Sequence, residues 1–196
     1  MSQPYQKKNQ KRKQNKTSSV VLSKAFFNRD ARTVATELLG KYLVRKKDRE
    51  YRAECITEVE IYDGPEDRAS HAFRGVTNRN RVMFGPAGYW YVYLCYGIHQ
   101  MLNVVVRETG YPAAILIRGT EHTPGPGRVG KCFFITKDMY EKPVGESSGL
   151  WIEDRGVIVP KKNITRAERI GVSYAGKKWA GKKYRFIARN VLHTKE

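Results

Sequence analysis

A carboxylate and a phenol ring occupy neighbouring positions in the segment 58–62, which reads Glu-Val-Glu-Ile-Tyr. Successive residues of a strand point to opposite faces, so Glu60 and Tyr62 would share one face. His71 follows on a polar loop. A carboxylate can deprotonate water, and a flat ring can stack on a nucleobase. These residue types indicate water activation beside an aromatic pocket.

A dense aromatic run at positions 89–96 supplies further rings. The period of two places Tyr91 and Tyr93 on one face of a predicted strand, with Tyr96 at or past its end. The polar residues Asn103 and Arg118 follow. A water-activating acid, stacking rings and a positive surface are together the parts that chemistry on DNA bases requires.

The chain carries 37 Lys and Arg against 19 Asp and Glu, a net charge of +18. This excess attracts polyanions and makes nucleic acid the expected partner. Residues 1–18 contain six basic residues and no acidic ones, and we expect a disordered basic tail there. A solubilising role and a DNA-tracking role both fit this tail. Residues 161–189 hold ten basic residues against Glu168 alone, which predicts a phosphate-facing region near the C-terminus.

The three cysteines, Cys55, Cys95 and Cys132, have no C-x-x-C spacing. Neither a disulfide framework nor a zinc ribbon is therefore supported. No segment approaches the roughly twenty apolar residues that cross a bilayer, and no secretory signal is present. We expect a soluble, monomeric, cytoplasmic protein with no membrane partner, nucleoid-associated if it is bacterial.

Local patterns predict one α+β domain over residues 19–196, with a curved, mainly antiparallel sheet as its core and helices around it. Asn28 or Asp30 can cap a first helix that Gly40 ends. A second, short helix is predicted to open at 125–128, with Val129, Cys132 and Phe133 facing inward. Strands are predicted at 41–45, 52–62, 89–96, 101–107 and 113–118, with later strands near 157–160 and 184–188.

The predicted strand 52–62 has one apolar face and one face with two carboxylates. The apolar face is expected to lie on the core and consists of Cys55, Thr57, Val59 and Ile61. The other face is expected to border a cleft and consists of Ile56, Glu58, Glu60 and Tyr62.

Several motifs, in their order and spacing, resemble the 3-methyladenine DNA glycosylase family of the alkyladenine type. The resemblance covers nearly all of the chain after the tail. It rests on Glu58-Val59-Glu60-Ile61-Tyr62, Ala69-Ser70-His71-Ala72, the segments 77–84 and 91–97, Asn103-Val104-Val105, Leu116-Ile117-Arg118, Gly125-Pro126-Gly127-Arg128, Arg169-Ile170-Gly171-Val172, Trp179 and Arg185-Phe186.

The resemblance implies that water attacks C1′ of a deoxyribose and expels a damaged purine. Glu60 would deprotonate this water and stabilise the positive charge that grows on the sugar. Arg118 would help to fix the water, and the backbone carbonyl of Ile170 would complete its binding site. An ordinary ion pair is the alternative role for Arg118. Glu58 is expected to be structural, because an unpaired second carboxylate would disturb Glu60.

The same resemblance assigns a base pocket to Tyr62, His71, Tyr93 and Asn103. The two phenol rings would sandwich an extruded purine, and a cationic alkylated base would gain cation–π attraction from them. His71 would read the six-position or a neighbouring edge of the base. Asn103 would reject guanine by a clash with its exocyclic amine.

Tyr96 matches a wedge that fills the gap left by a flipped nucleotide. The alternative is a strand-end tyrosine that packs on the core. Further DNA-contact candidates are Met83, Ile98, His99 and Arg128. The segment 119–124 is shorter than the family pattern, and we expect this to remove a surface loop and to leave the pocket intact.

The resemblance implies a monofunctional glycosylase that needs no metal or organic cofactor. Its substrate would be double-stranded DNA containing alkylated or deaminated purines, such as 3-methyladenine, 7-methylguanine, hypoxanthine or ethenoadenine. A second hypothesis is a catalytically silent, basic nucleic-acid-binding module. A third is a metal-dependent hydrolase built from Glu60, His71 and His99, although these residues lack a metal-binding spacing.

Overall fold

The computed structural model describes residues 19–189. The predicted basic tail, residues 1–18, lies outside the described part of the chain, as do residues 190–196. The described residues contain four α-helices, α1 Lys24–Phe27, α2 Ala31–Leu38, α3 Pro126–Cys132 and α4 Lys177–Ala180. They also contain nine strands: β1 Val20–Val21, β2 Tyr42–Lys47, β3 Glu50–Asp63, β4 Trp90–Cys95, β5 His99–Val105, β6 Ala113–Thr120, β7 Leu150–Asp154, β8 Ile164–Ala167 and β9 Arg185–Ala188.

All the strand pairs between residues 19 and 189 are antiparallel, and the main path runs β1-β7-β2-β3-β6-β5-β4. Strand β9 pairs with both β3 and β8. The pairing of β3 with β6 shifts register between Ile56 and Val59, and such irregularities bend a strand. The α+β class, the single domain and the antiparallel sheet predicted from the sequence are confirmed.

Helix α2 follows from its cap and its apolar spacing. The Asp30 carboxylate accepts hydrogen bonds from the backbone N–H groups of Arg32 and Thr33. Its inner face is fully buried and consists of Ala31, Val34, Ala35 and Leu38. Gly40, whose φ is +90°, takes the left-handed conformation that lets the chain turn into β2. The predicted helix is confirmed.

The register of four strands places one row of side chains across the sheet. Glu60 of β3 pairs with Leu116 of β6, Leu116 pairs with Asn103 of β5, and Asn103 pairs with Tyr91 of β4. Cross-strand partners lie side by side on the same face. Residues that are far apart in the sequence therefore meet on one surface of the sheet.

Both faces of β3 are buried in this region, whereas the sequence pattern predicted one core face and one cleft face. Ile56 and Glu60 are both fully buried although they lie opposite the predicted core face. Ile56 belongs to the main core beside the register shift of β3. Tyr62, whose hydroxyl donates to Glu60, packs with a small separate cluster of Ala69, Val172 and Ala175.

The later part of the chain departs from the predicted strands. The five strands predicted before residue 120 are confirmed, with ends that differ by at most two residues, and β9 confirms the last one. The strand predicted near 157–160 is wrong, because β7 and β8 flank an irregular segment there. Strand β7 lies between β1 and β2, so four of its five residues are buried without alternation. A consecutive apolar run, Leu150-Trp151-Ile152, was its only sequence signal.

Helix α3 packs directly on the start of β5 through two glycines. A Cβ at Gly127 would lie 2.9 Å from the ring of His99, and one at Gly130 would lie 2.2 Å from the carbonyl oxygen of Gln100. Val129 and Phe133 are fully buried, as predicted, while Cys132 is only partly buried. The helix is therefore held close to the sheet.

The short segment 119–124 is a tight turn. Glu54 of β3 accepts hydrogen bonds from the hydroxyl groups of Thr120 and Thr123 and from the thiol of Cys132 in α3. One carboxylate thus ties the turn to both the sheet and the helix.

Candidate active site

A cavity of about 460 Å³ opens on the sheet face that carries the row Glu60, Leu116, Asn103 and Tyr91. Its walls come from β3, β4, β5, β6, the segment 69–83 between β3 and β4, and the loop after β8. All seven residues predicted for catalysis and for the base pocket line it, namely Glu60, Tyr62, His71, Tyr93, Asn103, Arg118 and Ile170. Residues predicted from separate motifs are therefore brought together in one place.

Glu60 is fully buried at the wall of this cavity. One of its carboxylate oxygens accepts a hydrogen bond from the backbone N–H of Ile170 at 2.9 Å, and the other accepts one from the hydroxyl of Tyr62 at 3.1 Å. Burial raises the pKa of Glu60 above its ordinary value, and the charge of Glu58 adds to this. Arg118, the Ile170 N–H and the Tyr62 hydroxyl oppose the rise. The carboxylate is held in one orientation and is a stronger base than an exposed one.

Arg118 bridges the carboxylates of Glu58 and Glu60 in β3. Its Nε donates to Glu58 Oε1 at 2.9 Å, and its Nη1 lies 3.4 Å from Glu60 Oε1. Arg185 of β9 donates to the same Glu58 oxygen at 3.0 Å. Glu58 is therefore paired with two guanidinium groups, which is the structural role expected for it. Arg118 therefore forms the ion pairs that the alternative predicted, and it also lines the cavity. A role in fixing the water stays a prediction.

The predicted contact of Ile170 differs from the one that the structure contains. The sequence pointed to its backbone carbonyl, whereas the hydrogen bond present is from its backbone N–H to Glu60. Ile170 as a whole residue is 52% exposed, and it lines the cavity. Ile170 thus orients the carboxylate, and a role for its carbonyl stays a prediction.

A buried ion pair between Asp67 and Arg169 supports this loop, and the sequence did not reveal it. Both side chains are fully buried, and the guanidinium donates to both carboxylate oxygens. Arg169 also donates to the backbone carbonyls of Ile61 and Trp179. Because Arg169 directly precedes Ile170, the pair fixes the backbone that holds Glu60. The only sequence signal was the position of Arg169 in the motif 169–172.

Arg169 also stands behind one wall of the cavity. Its guanidinium carbon lies 5.0 Å from the centroid of the Tyr62 ring and 5.2 Å from that of Tyr184. Stacking of a guanidinium on phenol rings restricts their orientation. Tyr62 is therefore held from behind by Arg169 and through its hydroxyl by Glu60.

Three rings pack together on the opposite wall. The His71 Nδ1 lies 2.7 Å from the hydroxyl of Tyr91, and its ring centroid lies 4.6 Å from that of Tyr93. Although one side of His71 faces solvent, desolvation within the cavity and the charge of Arg79 lower its pKa to about 4. His71 is neutral at neutral pH, and Tyr91, to which the sequence assigned no role, orients it.

Asn103 of β5 is buried at the cavity wall. Its amide nitrogen donates to the backbone carbonyls of Tyr91 and Met101 at 3.1 and 3.3 Å. Two bonds to rigid strands fix the amide in place at the cavity wall.

The turn between β4 and β5 presents an exposed apolar tip. Tyr96 is 88% exposed and has a φ of +51°, which is an uncommon conformation for a residue other than glycine. Leu94 and Ile98 beside it are also exposed. The alternative in which Tyr96 packs on the core is therefore wrong.

The remaining DNA-contact candidates divide into two groups. Ile98, His99 and Arg128 are exposed on the side of the β4–β5 turn and of α3. Met83 is 1% exposed and packs with Tyr91 in a second apolar cluster. The prediction that Met83 flanks DNA is corrected accordingly, because its side chain lines the inner cavity instead of the surface.

The described residues contain neither a cluster of metal-ligating side chains nor a membrane-spanning helix. Within residues 19–189, no three His, Cys, Asp or Glu side chains are grouped so that they could hold a metal ion. None of the helices in this range is both long and apolar enough to span a bilayer.

Comparisons with known proteins show the family of this chain. The family model of methylpurine-DNA glycosylase matches residues 25–124 and 120–191. A protein of Anaeromyxobacter dehalogenans (strain 2CP-C) named "Putative 3-methyladenine DNA glycosylase" is 42% identical over 175 residues, covering 86% of this chain and 83% of its own length. Proteins with the same name from Myxococcus xanthus (strain DK1622) and Methanocella arvoryzae are 40% and 39% identical, covering 88% and 87% of this chain and 92% and 93% of their own lengths. This chain therefore belongs to the methylpurine-DNA glycosylase family.

Proposed function

We propose that this protein is a monofunctional DNA glycosylase that removes alkylated or deaminated purines from duplex DNA in base excision repair. Candidate substrates are 3-methyladenine, 7-methylguanine, hypoxanthine and ethenoadenine. The observation that carries the proposal is the Glu60 carboxylate, fully buried yet lining an aromatic cavity in a strongly basic protein.

In the proposed reaction a water molecule attacks C1′ of the flipped nucleotide as the purine leaves. Glu60 takes a proton from this water and stabilises the positive charge on the sugar. Arg118 and the backbone carbonyl of Ile170 would position the water. An N-alkylated purine already carries a positive charge, so it leaves without a general acid. No lysine lines the cavity in the described part of the chain, which favours water over a Schiff base as the nucleophile.

The proposed base site lies between Tyr62 and Tyr93. A purine stacked between these rings would have one edge near His71, whose neutral imidazole can exchange a hydrogen bond with it. The fixed amide of Asn103 would clash with the 2-amino group of guanine and so disfavour undamaged guanine. In this arrangement, stacking on the two rings and the shape of the pocket would select which purines bind.

Tyr96 is the proposed wedge that replaces a flipped nucleotide in the base stack. We expect Tyr96→Ala to slow base release from duplex DNA about 10- to 100-fold, because the lost stacking energy of a few kcal/mol is no longer offset. Release from a single-stranded oligonucleotide with the same lesion should change little. Tyr51→Ala, which removes an exposed tyrosine outside the cavity, is the matched control. Equal losses on single and double strands would contradict the wedge.

Partners and location are part of the proposal. The enzyme would act as a monomer on double-stranded DNA in the cytoplasm or nucleoid, without a metal or an organic cofactor. Ile98, His99 and Arg128 would contact the DNA beside Tyr96, and the basic residues of 161–189 would face phosphates.

Base release from defined duplexes tests this function. Oligonucleotide duplexes with hypoxanthine, ethenoadenine or a methylated purine should become alkali-labile on incubation with the protein, and free base should appear. A catalytically silent binding module would bind in a salt-sensitive way and release no base from any of them. Loss of activity on treatment with EDTA would instead support a metal-dependent hydrolase.

The raised pKa of Glu60 predicts the pH dependence of the reaction. Only the ionised carboxylate can accept a proton, so activity is present above the folded-state pKa and is lost as the pH falls through it. Since this pKa lies above the ordinary value of 4.5, the loss should begin at a higher pH than for an exposed glutamate. The rate of single-turnover release of 3-methyladenine, measured as a function of pH, tests this loss of activity at low pH, because release of this base needs no general acid. A rate that stays constant down to pH 4.5 would contradict the prediction.

A further inference from the structure

Arg79 occupies an unusual place for an exposed arginine, because it lines the aromatic cavity. Its guanidinium carbon lies 5.1 Å from the centroid of the Tyr93 ring. Its Nη2 donates to the backbone carbonyl of Leu94 at 3.3 Å, and its charge also acts on the Tyr91 hydroxyl. The positive charge is therefore held against one wall of the proposed base site.

This charge has no carboxylate partner in the part of the chain that the structure describes. No salt bridge between residues 19 and 189 involves Arg79, whereas Arg169 is paired with Asp67 and Arg81 is paired with Glu141. The charge of Arg79 thus acts on Tyr93 from within the cavity, and the Glu60 carboxylate, which also acts on Tyr93, is already paired with Arg118. Its effect is visible on the neighbouring groups, since its charge contributes to the lowered pKa of His71.

We infer that Arg79 is a specificity-determining residue that favours neutral purine lesions, such as hypoxanthine, over cationic N-alkylated purines. The inference rests on the proposed function and specifies its substrate class. Two effects of the Arg79 guanidinium act in this direction.

The first effect is direct repulsion. A cationic purine stacked on Tyr93 would lie near this guanidinium, whereas a neutral purine would not be repelled. At a separation of about 7 Å and in the partly solvated mouth of the cavity, this repulsion corresponds to a penalty of roughly three- to tenfold.

The second effect concerns the Tyr93 ring. A guanidinium on the face of a phenol ring already uses part of its cation–π attraction. Tyr93 therefore has less attraction left for a cationic base than a free ring would have, while its stacking on a neutral purine is unaffected. Tyr62 faces Arg169 in a similar way, but the charge of Arg169 is balanced by Asp67.

A charge series at position 79 tests the inference. Single-turnover rates of base release are measured for hypoxanthine and for 3-methyladenine in the same duplex. Both bases lack the 2-amino group that Asn103 is proposed to exclude, and their remaining difference in shape is the same for every variant compared. Arg79→Gln is expected to raise the ratio of the 3-methyladenine rate to the hypoxanthine rate about three- to tenfold. Arg79→Lys, which keeps the charge, should leave this ratio within twofold of the original.

Arg81→Gln is the matched control. It removes the same charge two residues away, from an exposed side chain that does not line the cavity. This variant changes overall attraction to DNA and should not change the ratio of the two rates.

The possible results distinguish failure of the inference from failure of the proposed function. An equal fall of both rates in Arg79→Gln would mean that the residue contacts phosphate, and a ratio that also shifts in Arg81→Gln would mean a general charge effect. Either result overturns the inference while the proposed function stands. Failure of the unmodified protein to release either base would overturn the proposed function and this inference with it.

Discussion

Glu60→Gln is expected to reduce the rate of base release about 10³-fold, within the range of general-base contributions. The amide cannot accept a proton from water at neutral pH. It has nearly the same volume as the carboxylate, and its oxygen can still accept the hydrogen bond from the Ile170 N–H. The change therefore removes chemistry and preserves the shape of the site. Single-turnover release of hypoxanthine from a duplex measures the effect.

Binding of the same variant provides the control. Glu60→Gln should bind a hypoxanthine-containing duplex at least as tightly as the original protein, because a buried negative charge near the DNA is removed. A loss of affinity together with the loss of rate would indicate a damaged pocket. Release at the full rate by a folded Glu60→Gln protein would overturn the proposed mechanism.

Asp67→Asn is expected to lower the free energy of unfolding by about 3–5 kcal/mol, the usual cost of leaving one member of a buried ion pair uncompensated. Both Asp67 and Arg169 are fully buried, so water cannot solvate the guanidinium that remains. For a protein of this size, the change corresponds to a fall in melting temperature of about 10 °C. Urea denaturation measures the free energy, and calorimetry measures the melting temperature.

Two further variants make this prediction specific. Glu168→Gln breaks the exposed ion pair with Lys183 and should cost less than about 1 kcal/mol. Arg169→Lys keeps the charge and loses the bidentate geometry, so an intermediate loss is expected. Equal stability of Asp67→Asn and Glu168→Gln would show that the buried pair does not stabilise the fold.

Local sequence patterns determined the helices and strands in the first part of the chain, up to β6. The Asp30 cap, the apolar spacing after it and Gly40 define helix α2, and alternation defines β3 to β6. These signals act between residues that are near in sequence, so they can be recognised without knowledge of the fold. Strand β7 was not predicted from the sequence, because an interior strand that is buried on both faces does not alternate between apolar and polar residues.

Motifs also identified individual residues of the candidate site, but the sequence could not bring them together. Strand register did so, because the pairing of Glu60 with Leu116, of Leu116 with Asn103 and of Asn103 with Tyr91 places them in one row. Register depends on the pairing of whole strands and is a property of the tertiary structure.

Burial and charge compensation were likewise decided only by the fold. The pairing of Asp67 with Arg169 joins residues 102 positions apart, and the burial of Glu60 depends on a loop 110 positions away. Met83 was expected at the surface but lies at the cavity wall, because its burial also depends on the packing of distant segments. The sequence by itself determined which groups are present to do chemistry. The tertiary structure determined their pKa values and partners, because desolvation and Coulomb interactions depend on distances in space and not on separation along the chain.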